Sequence, residues 1–223
     1  MTNEHRRCYC GCRCCSGCGC CCYYQKAQRL IRNHGCRVRH GSAPFSNDSN
    51  PQRKVARAAM QTITIVLTKY SDILSNFIYL MSGGGYTHVS LSLGDEKDVM
   101  YSFNYKGFCI ETLEKHRRRG VTKSMCYQMQ VSEKAYDKLK KHVQYFVEHR
   151  EEFRYTRLGA ILCFLRIPFR WKDHYFCSQF VAEILTRTGA VKLKMSPSLY
   201  LPNHLKNELA YSWQLQHVQY NPV

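Results

Sequence analysis

Two residues in this chain have the type and setting for nucleophilic chemistry: Cys177 in "HYFCSQFVAEIL" and His88 in "YTHVSLSLGD". A helix beginning at Cys177 places Cys177, Phe180, Val181, Ile184 and Leu185 at i, i+3, i+4, i+7 and i+8, so the cysteine lies in the first turn on the apolar stripe. There a sulfur faces unpaired backbone N–H groups and the positive end of the helix dipole, which favour thiolate over thiol. A cysteine on an apolar stripe also packs well as a small hydrophobe. The residues around Cys177 therefore leave both roles open. A nucleophilic thiol further needs a base, and among ten histidines His88 is the best placed, on the polar face of a strand beside small side chains.

The elements that must position this pair follow from periodicity. Val89, Leu91 and Leu93 alternate with His88, Ser90 and Ser92, while Val99, Tyr101, Phe103 and Tyr105 alternate with Met100, Ser102 and Asn104. A hairpin around "GDEKD" joins the two runs, and a turn centred near residue 95 or 96 sets His88 opposite Ser102 or Asn104. A third strand carries Glu111. Upstream, "MQTITIVLTKY" predicts a strand and "SDILSNFIYLMS" a helix capped by Ser71 or Asp72. Downstream, "VTKSMCYQMQV" is extended, and "SEKAYDKLKKHVQYFVEHREEF" predicts a helix capped by Ser132. "LGAILCFLRIPF" is a short buried helix or loop that stops at Pro168, and the Cys177 helix ends at Gly189. "KHRRRG", with His116, predicts a solvated basic turn.

"YTHVSLSLGD", then "YFCSQFVAEIL", then "SPSLYLPNHL" together resemble the circularly permuted NlpC-like, papain-like cysteine amidase family, the YaeF/YiiX group. The resemblance spans about Met60 to Leu209. It implies an α+β fold in which an antiparallel sheet packs against a helix bearing the cysteine at its N-terminus. It also implies that Cys177 is the nucleophile, that His88 is the general base, and that a polar residue on the next strand orients the imidazole. Counting along the hairpin assigns that third role to Ser102, with Asn104 one pleat further and Glu111 as an alternative on the third strand. The activity implied is cleavage of an amide or ester substrate through an acyl-enzyme, with the Cys177 backbone N–H donating to the oxyanion. A thioesterase or acyltransferase acting on lipids, or a non-catalytic binding module, would use the same fold. No cofactor or metal is implied.

Composition divides the chain. Residues 1–59 hold 11 of the 33 Lys and Arg and 2 of the 16 Asp and Glu, which gives them +9 of the net +17. They also hold ten of the 14 cysteines, nine of them between Cys8 and Cys22. Residues 1–59 read as a disordered or untranslated leader, with Met60 as an alternative start, and residues 60–223 as the hydrolase domain. The C-x-C and C-C spacings suit loose thiolate clusters better than a single metal site. With no apolar signal region and no run of about 18 residues able to span a bilayer, the expectation is a cytoplasmic chain. Basic charge without an aromatic-plus-basic motif gives no reason to expect a nucleic-acid partner.

Overall fold

The computed structural model describes residues 60–70, 79, 84–94, 98–121 and 123–222. The leader and most of the helix expected over "SDILSNFIYLMS" lie outside these residues. The described residues all belong to the unit Ser49–Val223.

The β-branched run forms strand β1 (Met60–Lys69), and the alternating runs form β2 (His88–Leu93), β3 (Met100–Asn104) and β4 (Gly107–Glu111). After helix α1 (Leu113–Arg118) come β5 (Lys123–Ser132) and helix α2 (Glu133–Glu148). Then follow β6 (Arg154–Tyr155), α3 (Arg157–Phe164), β7 (His174–Tyr175), α4 (Cys177–Thr188), α5 (Pro202–Leu209) and β8 (Leu215–Tyr220). The fold is α+β. Its six-stranded sheet runs β4-β3-β2-β1-β5-β8 with every neighbouring pair antiparallel. A separate parallel pair, β6 and β7, sets Arg154 beside His174 just before α4.

The caps follow the local chemistry. Ser132 accepts from the Ala135 N–H at 3.3 Å, and Thr156 from the Gly159 N–H at 2.9 Å. Gly189 closes α4 at φ 72°, the left-handed conformation expected for it. α2 ends at Glu148 rather than running on through "HREEF".

Strand parity gives the sheet two unlike faces. Ile63, Ile65, Leu67, Val89, Leu91 and Phe103 join Leu139 and Val143 of α2 and Phe180, Val181 and Leu185 of α4 in the main core. Each such fully buried side chain contributes roughly 2 kcal/mol by removal from water. On the other face Val66, Met100 and Cys126 form a small cluster covered by Leu113 of α1. His88, opposite Thr68 on β1, shares that second face.

β4 is anchored by Gly107, which has φ 111° and lies so close to Phe153 that a Cβ would run into its carbonyl oxygen. Gly107→Ala is expected to cost about 2 kcal/mol of backbone strain. That should lower the thermal midpoint by roughly 4 to 8 °C in calorimetry. An unchanged midpoint would mean that the turn relaxes freely. Among the described residues no helix is long and apolar enough to cross a membrane.

Candidate active site

Cys177 is the first residue of α4, 5 % exposed, and follows Phe176, an extended N-cap residue with no side-chain acceptor to offer. The orphan N–H groups of that helix end are therefore not consumed by a cap. The main-core stripe of α4 fixes the helix against β2 and β3. There Cys177 is near enough to the His88 imidazole to help raise its pKa. The two residues singled out by sequence are brought together.

The carboxylate that hydrogen-bonds His88 is that of Glu111, and Ser102 makes no such contact. His88 Nε2 lies 2.8 Å from Glu111 Oε2, which leaves Nδ1 as the ring nitrogen for the sulfur. The Ser102 hydroxyl instead donates to the Val89 carbonyl at 2.6 Å. The Asn104 Oδ1 accepts from the Lys106 N–H at 2.8 Å and so serves the β3–β4 turn. Leu91 opposes Tyr101, which centres the hairpin on residue 96. Glu111, opposite Met100 on β4, reaches past β3 to β2, where Ser90 Oγ also donates to Oε2 at 2.8 Å. A serine hydroxyl, one carbon from the backbone, is too short for that span and takes the nearest carbonyl. Ser102→Ala is thus expected to leave turnover within about twofold, while the lost bond to a buried carbonyl costs about 1 to 3 kcal/mol in denaturant unfolding. A hundredfold loss of turnover without unfolding would restore Ser102 to the site.

A second correction concerns "KHRRRG". Arg117 and Arg118 are exposed, but His116 is fully buried on α1. Its Nδ1 lies 2.6 Å from the Tyr70 hydroxyl, and its Nε2 lies 3.8 Å from Glu111 Oε2. Arg119 Nη1 reaches Glu111 Oε1 at 3.3 Å and the Tyr70 hydroxyl at 3.5 Å. Tyr70 and His116 escaped the sequence reading. The available signal was the spacing of Leu113 and His116, three apart on one helix face.

The electrostatics follow from burial and these partners. Burial by itself would lower the His88 pKa, but the Glu111 charge, the nearby Cys177 and the hydrogen bond to Glu111 outweigh it, raising the pKa from 6.5 to about 10. Burial opposes ionisation of Glu111 as well, yet His88, with His116 and Ser90, holds its carboxyl well below the usual carboxylate range. Burial, aided by the neighbouring His88 and Arg119 and opposed by Glu111, holds His116 at about 4, so it is neutral at pH 7. Burial and the Glu111 charge push the Tyr70 phenol upward. The phenol therefore keeps its proton and donates it to His116 Nδ1, leaving the proton of the neutral His116 ring on Nε2, towards Glu111. Glu111 takes hydrogen bonds from His88, Ser90 and Arg119, whereas His116 Nε2, 3.8 Å away, makes none.

Among the described residues, no group of three His, Cys, Asp or Glu side chains is arranged to hold a metal ion. No family model matches the chain, and no curated protein matches it significantly.

Proposed function

We propose that this chain is a cysteine hydrolase of permuted papain-like design, cleaving an amide or acyl-amide bond through a Cys177 acyl-enzyme. The observation that carries the reading is the buried line Cys177–His88–Glu111, with the sulfur at an uncapped helix N-terminus and the imidazole fixed by a carboxylate. Nucleophile, base and orienter in that order are what acyl transfer requires.

In the proposed cycle the Cys177 proton resides on His88, whose raised pKa keeps it imidazolium, and the sulfur adds as thiolate to the carbonyl carbon. The oxyanion accepts from backbone N–H groups at the start of α4, a kind of donor worth roughly 3 kcal/mol of barrier. His88 returns the proton to the departing nitrogen as the C–N bond breaks, leaving a thioester on Cys177. His88 then takes a proton from water; the hydroxide adds to the thioester, and the carboxylic acid leaves as the thiolate–imidazolium pair is re-formed. Glu111 keeps the imidazole in one orientation throughout and stabilises its cationic form. His precedes Cys in the chain, on β2 and α4 respectively, which is the order of the permuted arrangement.

The test is site-resolved covalent labelling: a small thiol-directed acyl probe should modify Cys177 in the wild type, and the signal should collapse in His88→Ala. Labelling that ignores both His88 and pH would sink the reading.

A further inference from the structure

Leu158, Ile161 and Leu165 fall at i, i+3 and i+7 along α3 and its C-cap, and each is about half exposed (47 to 55 %). Ile167 and Trp171, equally exposed at 48 and 53 %, follow in the loop before β7. Five of the twelve large hydrophobics exposed among the described residues thus lie between Leu158 and Trp171. Single exposed apolar side chains are ordinary, whereas a contiguous set marks a surface that meets something.

Charge narrows what it meets. From Arg157 to Lys172 the sequence has no acidic residue and four basic ones. Arg170 is held by Glu183 at 2.8 Å, and Arg157, Arg166 and Lys172 are exposed among the apolar residues. A second copy docking on this face would set four cations against four. An anionic surface would be attracted. Leucine and isoleucine on one helix face, a tryptophan at its margin and arginines interspersed make the pattern of an element lying in a bilayer interface.

The inner side of α3 is fixed. Cys163 packs with Phe176 and Leu201, so the apolar face is tied to the residue that precedes Cys177.

We propose that the α3 face, from Leu158 to Trp171, docks on an anionic lipid bilayer, its apolar side chains entering the boundary between headgroups and acyl chains. Docking stands on this surface alone. Together with the reading of Cys177 as nucleophile, on which this extension rests, it makes the substrate an acyl lipid whose amide or ester lies at the interface.

The full chain has two tryptophans, so Trp213→Phe leaves Trp171 as sole reporter. With mixed phosphatidylcholine and phosphatidylserine vesicles, Trp171 emission should shift to the blue and be quenched by brominated acyl chains. Pure phosphatidylcholine should give a much weaker response. The double variant Ile161→Glu/Leu165→Glu, checked for folding by circular dichroism, should weaken vesicle partitioning by at least about tenfold. Cys177→Ala should bind vesicles as the wild type does, which separates docking from thiol chemistry. No spectral shift overturns the proposal. So does co-sedimentation that the double variant leaves intact, since the basic residues before Met60 would then account for binding. A dimer in sedimentation velocity that the same double variant dissociates would assign the face to a second copy and overturn it as well.

Discussion

Replacing Cys177 with alanine is expected to remove all acyl-probe modification of the peptide containing residue 177 and to reduce hydrolysis to background, with the thermal midpoint nearly unchanged. The side chain is small and sits at a helix start, so its loss removes little packing. The chemical loss is total, because no other described thiol can substitute. Burial pushes the Cys126 thiol up to about 11 and the Cys163 thiol up to about 12. Burial and the Glu111 charge push Cys109 higher still. At pH 7 a thiol with a pKa of about 11 is ionised in roughly one molecule in ten thousand. Cysteines before Met60 will also react, so the readout must be peptide-resolved mass spectrometry rather than total incorporation. Persistence of turnover in Cys177→Ala would refute the acyl-enzyme outright. Equal labelling of the Cys109, Cys126, Cys163 and Cys177 peptides would show that the His88 environment confers no reactivity.

The sequence made the dyad legible because both members obey short-range rules. His88 falls on the polar parity of a strand, and Cys177 opens a helix whose stripe and Gly189 stop are plain. Strands β1 to β5 and the Ser132 cap follow from alternation and capping in the same way. The carboxylate partner of His88 is set by a longer relation. Glu111 acts across an intervening strand, and only the sheet order β4-β3-β2 brings it to His88. Counting along one hairpin cannot reach beyond the adjacent strand, and so it arrives at Ser102. His116 was hidden by its neighbours: three arginines and a lysine around it look solvated, and all three arginines are exposed. Strand β8 was equally obscure, because "LQHVQY" is mostly polar and exposed and becomes a strand by pairing with the edge of β5.

Glu111→Gln is expected to produce the second large effect, and pH is the variable that separates its chemical from its structural part. Glu111 raises the His88 pKa, so its neutral replacement should let that pKa fall from about 10 towards the ordinary 6.5. In the proposed cycle the imidazolium protonates the leaving nitrogen, so the alkaline limb of kcat/KM should move down by up to about three pH units. At pH 8 the loss should be at least about tenfold, each unit of displacement being tenfold beyond the limb. Stability carries its own signature through linkage. A raised histidine pKa adds stability that is complete below 6.5 and lost as pH rises through about 10. A depressed carboxyl pKa adds stability that is present above 4.5 and lost as pH falls through its lower native value. Both describe one interaction, so the gap in unfolding free energy between wild type and Glu111→Gln should be widest between about 4.5 and 6.5 and narrow on either side. Glutamine also leaves Arg119 and Ser90 facing an uncharged amide, which adds a pH-independent loss. A merely structural Glu111 would lower stability and activity in parallel at every pH, with the alkaline limb in place. A displaced limb is the result that only a carboxylate acting through His88 produces.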